Sequence, residues 1–367
     1  MKREASIQKL PATAPPCIIL VSNFLSSVGS NPGVCEALAA QLAAHGWQVI
    51  TTSGQQGRVA RLLDMVYTVL RTRNAYHVAQ VDVHSRLAFF WAEAVCSLLN
   101  LLHKPFILTL HSGKLPEFAA QWPGRVRRLL RPANVVTTPS HYLLDKMSAY
   151  RTDLQLLPNA IDINKYSFRL RSEPQPNLIW LRAFHHIYNP QLAPRVLALL
   201  ASKFSDLQMT MIGPDKGDGS LPDTQQIAME LKVSNRLVIT GGITKTEVPR
   251  LMSASDIFLN TTNEDNTPIS VMEAMACGLC VVSTNVGGIP YLLNHEQDAL
   301  LVPPNDPAAT AAAVARILTE PNLAERLSRN ARQKAEQLDW SVILPKWETT
   351  LRKTAGLQNG QANAHRL

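Results

Sequence analysis

The hydrophobic positions of the chain alternate between short, continuous apolar runs and longer segments with helical spacing. The first unit is an apolar run at 17–21, a polar loop, a helical pattern at 33–45 that Gly46 ends, and a second run at 47–51. Short apolar runs are typical of strands buried on both faces, and their alternation with helices predicts a parallel sheet. The N-terminal part is therefore expected to begin as a doubly wound α/β domain.

The alternation continues in two series, separated at 169–177 by a polar segment with two prolines that is typical of a linker. Further strands of the first series are predicted at 77–83, 105–110, 134–138 and 154–157. In the second series, strands are predicted at 178–181, 208–212, 237–240, 257–260, 280–283 and 299–302, and helices at 191–202, 223–231, 245–254, 269–277, 307–319 and 322–338. Two such series in a chain of 367 residues predict two domains.

The predicted boundaries place an N-terminal Rossmann-like domain at 1–168 and a C-terminal Rossmann-like domain at 178–338. A last helix is predicted at 340–353, within a separate C-terminal segment at 339–356. The polar tail at 357–367 is expected to be flexible, as chain ends without apolar anchors usually are.

One apolar run, at 87–102, comes nearest to a membrane span. It is shorter than the roughly 20 apolar residues that a span requires, and it contains Glu93 and Asn100. A buried helix is therefore expected here. The first sixteen residues hold four charged side chains and lack the apolar centre of a signal peptide, so a cytoplasmic protein is expected.

Composition adds a preference for anionic partners. With 46% hydrophobic and 17% charged residues, the chain can fill two cores, while a net charge of +8 favours polyanions. The basic side chains form two groups, Arg58, Arg61, Arg71 and Arg73, and Arg125, Arg127, Arg128 and Arg131. Each group fits either a solvated helix face, which is the favoured interpretation, or peripheral contact with an anionic membrane. No nucleic-acid module accompanies them, so no nucleic-acid partner is expected.

The five cysteines are scattered along the chain, which fits a reducing compartment. Cys277 and Cys280 form a C-x-x-C pair, but no second pair of ligands or thioredoxin-like context accompanies it. Small buried thiols are therefore expected rather than a metal or redox site.

The segment 260–290 contains the most informative arrangement of polar residues. An acidic loop with Asp265 leads to Pro268, which marks the start of a helix, and Gly278 marks its end. Glu273 lies a little over one turn inside the helix, whose N-terminal N–H groups carry partial positive charge. The two carboxylates could bind the hydroxyls of a sugar, and the N-terminus of the helix could bind phosphate. Together they would make a nucleotide-sugar site. The alternative is a solvated acidic loop before an ordinary core helix.

The same segment resembles the C-terminal signature of family 4 retaining glycosyltransferases of the GT-B class. In that signature two acids, separated by seven residues, precede an "EAMA-x-G" helix, and Asp265 and Glu273 match the two acids. Asp265 stands where the family usually has Glu. The likeness continues through "VVSTNVGGIP" and "ALLVPPND" and, more weakly, over most of 17–347.

The resemblance implies an α/β GT-B fold, with two Rossmann-like domains facing across a cleft and a last helix that crosses back to the first domain. It implies transfer of a hexosyl-type sugar from a UDP- or GDP-sugar to an acceptor hydroxyl, with retained anomeric configuration. A glycan or lipid-linked glycan acceptor is expected, and with it a role in polysaccharide or glycoconjugate synthesis. No D-x-D motif is present in the sequence, in agreement with chemistry that requires neither metal nor cofactor.

By the same resemblance, four residues are candidates for the chemistry. Glu273 would hold the ribose, and Asp265 would hold hydroxyls of the donor sugar. Arg182, at the end of the strand 178–181, would neutralise the departing diphosphate. His111, at the end of the strand 105–110, would orient the sugar from the first domain. Structural roles for Arg182 and His111 remain open from the residues alone.

Further donor contacts are expected from loops that follow strands. The family has a lysine several residues after the arginine, but here Arg182 is followed by AFHHIYNP, so His185 and His186 are the available substitutes. The candidate donor-binding residues in the remaining loops are Gly29, Ser30, Gly213, Asn266, Thr267, Pro268 and Ile269.

Other functions remain open at this point. A nucleotide-sugar 2-epimerase shares the fold but needs carboxylates placed for proton transfer, and no convincing set is present. A non-catalytic sugar-nucleotide-binding subunit fits the missing lysine and the aspartate at 265. A dehydrogenase is disfavoured, because Gly29 and Gly33 do not form the G-x-G-x-x-G motif.

Overall fold

The computed structural model describes residues 15–26 and 33–357, and the chain forms two compact units within it. The first unit comprises residues up to 139, residues 143–158 and residues from 341 onward. The second comprises residues 140–142 and 159–340. The predicted domain limits at 168 and 178 differ from this division, because residues 159–177 pack with the second unit.

The first unit is built on a six-stranded parallel sheet in the order β2-β1-β3-β4-β5-β6. Its elements are β1 Cys17–Val21, α1 Val34–Ala44, β2 Gln48–Thr52, α2 Arg58–Arg71, β3 Val78–Val83, α3 Leu87–Leu101, β4 Phe106–Leu110, α4 Leu115–Gln121, α5 Pro123–Leu130, β5 Val135–Thr138, α6 His141–Met147 and β6 Gln155–Leu156. Strands β1 and β4 are buried throughout, which is why their sequences are continuous apolar runs. The right-handed rule for crossovers between parallel strands places α2, α3 and α5 on one face of this sheet. In the structure α3 packs against both α2 and α5.

The second unit repeats the plan with a sheet in the order β12-β11-β10-β7-β8-β9, again all parallel. Its elements are β7 Asn177–Leu181, α7 Leu192–Leu200, β8 Gln208–Ile212, α8 Ser220–Glu230, β9 Leu237–Gly241, α9 Val248–Ser253, β10 Ile257–Asn260, α10 Ile269–Ala276, β11 Cys280–Thr284, α11 Ile289–Leu292, β12 Leu300–Val302, α12 Pro307–Thr319 and α13 Leu323–Glu336. A final helix, α14 Trp340–Thr354, follows; its residues from Ser341 onward belong to the first unit. Two doubly wound Rossmann-like units confirm the predicted α/β GT-B fold class.

The predicted linker at 169–177 is held tightly within the second unit. Arg171 is almost fully buried, pairs with the buried Asp256, and donates to the carbonyl oxygens of Ser255 (2.8 Å) and Cys277. Arg169 also pairs with Asp256. A buried arginine requires such partners, because an unpaired buried charge costs several kcal/mol. The polar composition that suggests a linker therefore reflects a buried ion-pair network.

Helix α3 forms where a buried helix is expected, but only one of its faces is buried. Phe89, Val95 and Leu99 pack into the core, whereas Leu87, Phe90 and Leu101 are exposed. Periodicity alone cannot separate a helix that is apolar all round and buried from one that leaves an apolar face uncovered.

Candidate functional site

The carboxyl ends of β7 and β10, which are neighbours in the second sheet, bring the first two candidate residues together. Arg182 directly follows β7, and Asp265 lies in the loop that follows β10. Their side chains form an ion pair, and both are mostly buried. Ligands of open α/β sheets bind outside this edge, so the pair lies where a site is expected.

Arg182 is held by close backbone packing. Gly213 lies against its carbonyl oxygen so closely that an added Cβ would be 1.7 Å from that oxygen, and Gly213 has a φ of +155°. The guanidinium carbon lies 4.8 Å from the centre of the Tyr188 ring, a cation–π contact. Within the described residues, the buried Nε of Arg182 has no hydrogen-bond partner. Gly213, a predicted donor-binding residue, thus packs directly against the main chain of Arg182.

Asp265 is fixed by the glycine turn before α11. The N–H of Gly288 donates to the Asp265 carbonyl at 2.9 Å, and a Cβ on Gly287 would be 2.2 Å from the same oxygen. The N–H of Asn266 donates to the Asp265 carboxylate at 2.8 Å. Burial raises the pKa of Asp265, and the charge of Arg182 together with the Asn266 N–H opposes that shift.

Helix α10 begins beside this loop. Pro268 is its N-cap rather than its first helical residue, so it offers no side-chain acceptor, and Ile269 is the first residue of the helix. Gly278, with a φ of +73°, follows the helix end as predicted. The buried hydroxyls of Thr267 and Ser270 have no hydrogen-bond partner among the described residues. Buried polar atoms without partners are uncommon and mark a place where a polar ligand fits.

Glu273 lies on the second turn of α10 and is buried. The hydroxyl of Tyr166 donates to its Oε1 at 2.7 Å, and the ammonium of Lys245 lies 3.7 Å from the same oxygen. Burial raises the pKa of Glu273, while Lys245 and Tyr166 oppose the shift. The hydroxyl of Tyr166 and the charge of Lys245 thus both act on Oε1 of Glu273.

Tyr166 and Lys245 are the site residues that the sequence analysis missed. Tyr166 lies in a loop after a short 3₁₀ turn, far from α10 in sequence. No motif around Tyr166 indicates that its hydroxyl contacts Glu273. Lys245 follows the glycines at the end of β9, so a cation in a strand-end loop was the signal that could have found it.

The predicted histidines contact residues of their own segment and Asp218 in the loop after β8. The ring of His186 has its Nε2 3.0 Å from the Asp218 carbonyl oxygen and its Nδ1 3.2 Å from the Gln191 amide nitrogen. His185 accepts from the Ile187 N–H at 3.1 Å and lies 3.6 Å from the Asp218 carboxylate. Lys245, by contrast, reaches the Glu273 carboxylate, so it is better placed than His186 to add positive charge there.

His111 lies in the first unit, at the end of β4. Its Nε2 is 2.9 Å from the carboxylate of Asp82, which also accepts from the Gln80 amide at 2.7 Å and from the Ser22 hydroxyl. Burial disfavours the imidazolium, but the charge and hydrogen bond of Asp82 outweigh it and raise the pKa of His111. Burial and His111 lower the pKa of the neighbouring His84 to about 4, with Asp82 opposing. The Nε2 atom of His111 is therefore engaged by Asp82.

Three other predicted donor-binding residues are Asn266, Gly29 and Ser30. Asn266 is buried in the loop beside Asp265, while Gly29 and Ser30 lie outside the described residues. Across residues 15–26 and 33–357, no three histidine, cysteine or acidic side chains come together as metal ligands. All five cysteines are buried and unbridged, and burial raises the pKa of Cys277 to about 11 and of Cys280 to about 12. The cysteines are thus buried thiols, as expected from the sequence.

Comparison with known proteins assigns the family. The profile "Glycosyl transferases group 1" matches residues 162–334, and the profile "Glycosyltransferase Family 4" matches residues 34–165. The chain belongs to the group 1, family 4 glycosyltransferases. The protein is therefore an enzyme that transfers sugars. The acidic loop and α10 lie within the residues that the group 1 profile matches.

Individual relatives of this glycosyltransferase are distant. It is 25% identical to N-acetyl-alpha-D-glucosaminyl L-malate synthase from Bacillus anthracis, over 88% of this chain and 93% of that protein. It is 22% identical to D-inositol 3-phosphate glycosyltransferase from Pseudarthrobacter chlorophenolicus, over 70% of this chain and 64% of that protein. The structure of HepE from Anabaena in complex with UDP has a TM-score of 0.75 and 17% identity, covering 92% of this chain and all of that one.

Proposed function

We propose that this glycosyltransferase transfers a sugar from a nucleoside diphosphate sugar to an acceptor hydroxyl, with retention of anomeric configuration. One observation carries the proposal: Arg182, Asp265 and Glu273 surround the start of α10, where buried polar atoms have no partners. Cations and helix N–H groups suit a diphosphate, and buried carboxylates suit the hydroxyls of ribose and sugar. UDP in the Anabaena structure supports a uridine nucleotide over a guanosine one.

Each residue has a distinct part in the proposed reaction. Glu273 accepts protons from the ribose hydroxyls, and Tyr166 fixes its carboxylate through Oε1. Arg182 leaves its ion pair with Asp265 to neutralise the diphosphate, and the freed Asp265 accepts from hydroxyls of the donor sugar. Lys245 supplies a second cation. Asp265 is one methylene shorter than the family's usual Glu and therefore selects a different fit of the sugar.

In the proposed mechanism the leaving diphosphate itself takes the proton of the acceptor hydroxyl. The glycosidic bond to the diphosphate breaks as the bond to the acceptor oxygen forms on the same face of the sugar, and the proton passes to a phosphate oxygen. No side chain is assigned as base, and no metal or other cofactor takes part. His111 keeps its predicted contact with the donor sugar in this proposal.

The acceptor is proposed to be a glycan or a lipid-linked glycan of polysaccharide or glycoconjugate synthesis, used on the cytoplasmic side of the membrane. A small-molecule acceptor is the alternative, because the names of both sequence relatives contain small hydroxyl compounds, L-malate and D-inositol 3-phosphate. In the part of the chain that the structure describes, no helix has the length and apolarity needed to cross a bilayer.

The experiment that tests the proposal is donor binding and nucleotide release across a panel of UDP- and GDP-sugars. Wild type should bind one class of donor and release the nucleoside diphosphate slowly, and Glu273→Ala should lose both. Glu230→Ala, an exposed glutamate on α8, is the matched control and should retain both. If the protein binds none of the donors and circular dichroism shows that it is folded, the assignment of the donor site is wrong.

Three further readouts test the finer steps. Binding without turnover over a panel of hydroxyl acceptors would favour the non-catalytic subunit. With turnover, NMR of the product anomeric proton decides retention, and activity after treatment with EDTA decides metal independence. Loss of activity on chelation, restored by a divalent ion, would contradict the metal-free mechanism.

A further inference from the structure

Helix α2 has two apolar faces, of which only one is used by the core. Met65 and Val69 face inward and are buried. On the opposite side, spaced by four, four and three residues, lie Val59, Leu63, Tyr67 and Leu70, with exposures of 42–72%. A helix that is apolar on both sides normally has a partner on each. The outer side of α2 has none among the described residues.

The neighbouring helix extends the same surface. Because α2 and α3 both follow strands of one parallel sheet and pack side by side, they run in the same direction with their starts together. Leu87 and Phe90, at the start of α3, are 66% and 52% exposed, and Leu101 at its end is 75% exposed. We call these outward residues of α2 and α3 the apolar face: Val59, Leu63, Tyr67, Leu70, Leu87, Phe90 and Leu101.

Positive charge surrounds the apolar face. Residues 58–131 contain eleven lysines and arginines against four acids, which accounts for nearly all of the net charge of +8. Arg58, Arg71, Arg73 and Arg86 are exposed at the ends of α2 and α3. The acids are mostly engaged: Asp64 accepts from Thr52, Asp82 from His111, and Glu93 pairs with Arg125, which leaves Glu117 exposed.

This pattern also continues on the third helix of the same sheet face. Trp122, just before α5, is 55% exposed, and Arg127, Arg128 and Arg131 project to solvent from the helix and its end. Exposed aliphatic and aromatic side chains flanked by arginines are the composition that binds the interface of a bilayer. Each arginine near an anionic leaflet adds about 1 kcal/mol, or about fivefold in binding.

We propose that the apolar face and its flanking arginines seat the protein on the surface of an anionic lipid bilayer. Charge complementarity decides among occupants. A second copy of the chain, docked by the same face, would bring two arginine rims together and be repelled. A nucleic acid would match the arginines but not Val59, Leu63 or Leu70. An anionic leaflet matches both, since it offers phosphate at its surface and acyl chains beneath.

The test is co-sedimentation of the full chain with vesicles of phosphatidylcholine alone or mixed with phosphatidylglycerol. Wild type should bind the mixed vesicles at low salt, bind the neutral vesicles at least tenfold more weakly, and be released by high salt. The double variant Leu63→Glu/Tyr67→Glu should lose at least tenfold in binding. The matched control Leu199→Glu/Val238→Glu, with similar exposure in the second unit, should bind as wild type does.

The outcomes are separable from those of the donor site. Circular dichroism and thermal unfolding of the Leu63→Glu/Tyr67→Glu variant report whether its first unit is folded, and its donor binding reports whether the second unit is unaffected. No binding of wild type to anionic vesicles, or equal binding by the Leu63→Glu/Tyr67→Glu variant, would overturn the proposal. A wild-type dimer in light scattering that the variant abolishes, without vesicle binding, would assign the face to self-association and overturn it as well.

Discussion

Arg182 and Asp265 form an ion pair although they are 83 positions apart in sequence, because each follows one of two neighbouring strands, β7 and β10. The pair neutralises the charge of the guanidinium before any diphosphate arrives. In the proposed reaction, donor binding exchanges a carboxylate partner for a phosphate partner at Arg182. The same exchange frees the carboxylate of Asp265 to accept hydroxyl protons.

Replacing Arg182 by alanine should slow nucleotide release by about 10²–10³-fold, because a preorganised cation on the developing charge of the leaving group is lost. Steady-state kcat with the best donor is the measurement. Arg195→Ala, an exposed arginine on α7, is the control and should leave kcat unchanged. An unchanged kcat in Arg182→Ala would remove Arg182 from the reaction.

Replacing Lys245 by alanine should weaken binding of UDP by about fivefold and binding of uridine much less, because its partly exposed ammonium adds a modest attraction for phosphate. Lys245→Arg should preserve most of the affinity. Calorimetric titration of both ligands measures the difference, with Lys203→Ala as an exposed control. Equal losses for UDP and uridine would show that Lys245 acts only through Glu273.

Replacing Glu273 by glutamine should abolish donor binding and yet raise the Tm at pH 7 by a few degrees. Burial raises the pKa of Glu273, so the folded state holds this proton more tightly than the unfolded chain. Stability from this group is therefore lost as pH rises from the ordinary glutamate pKa to the raised value, and a neutral isostere avoids the loss. The gain in Tm should vanish in acid, where Glu273 is protonated.

Thermal unfolding of Glu273→Gln and wild type at several pH values measures this trade-off, with Glu230→Gln as the exposed control. The same shift predicts that donor affinity falls as pH drops through the raised pKa of Glu273. A Tm at pH 7 below that of wild type would mean that hydrogen bonds to the carboxylate outweigh its burial.

Replacing Asp82 by asparagine should drop the pKa of His111 below the usual value for histidine, because burial then acts without the carboxylate. The Asp82–His111 pair should stabilise the first unit most between about pH 4 and about pH 6.5. Its contribution from the raised pKa of His111 is present at low pH and lost as pH rises through that value. The contribution from the depressed pKa of Asp82 is lost in strong acid.

NMR titration of the histidine rings measures this prediction, with the exposed His45 as a reference in the same spectra. Asp82→Asn should reduce Tm more at pH 5.5 than at pH 8.5. An unchanged pKa of His111 would show that the carboxylate does not hold its proton.

The strands and helix ends that depend on neighbouring residues could be predicted from the sequence. The runs at 17–21 and 105–110 were correctly predicted as buried strands, and Pro268 and Gly278 delimited α10 to within one residue. Contacts between distant residues left no such pattern, so Tyr166 on Glu273 and Arg171 on Asp256 were missed. The exposure of Phe90 could not be predicted either, because the identity of an apolar residue does not show whether it lies in a core or on a surface.

The buried arginine in the segment 169–177 determines where this protein can be divided. A fragment of the second unit that starts at 178 would lack Arg171 and Tyr166, and would leave the carboxylates of Asp256 and Glu273 buried without these partners. Removing one partner of a buried charge costs about 3–5 kcal/mol, a large share of the stability of a domain. Proteolysis and truncation should therefore yield a stable C-terminal fragment only when residues 159–177 remain attached, although their sequence has the composition of a spacer.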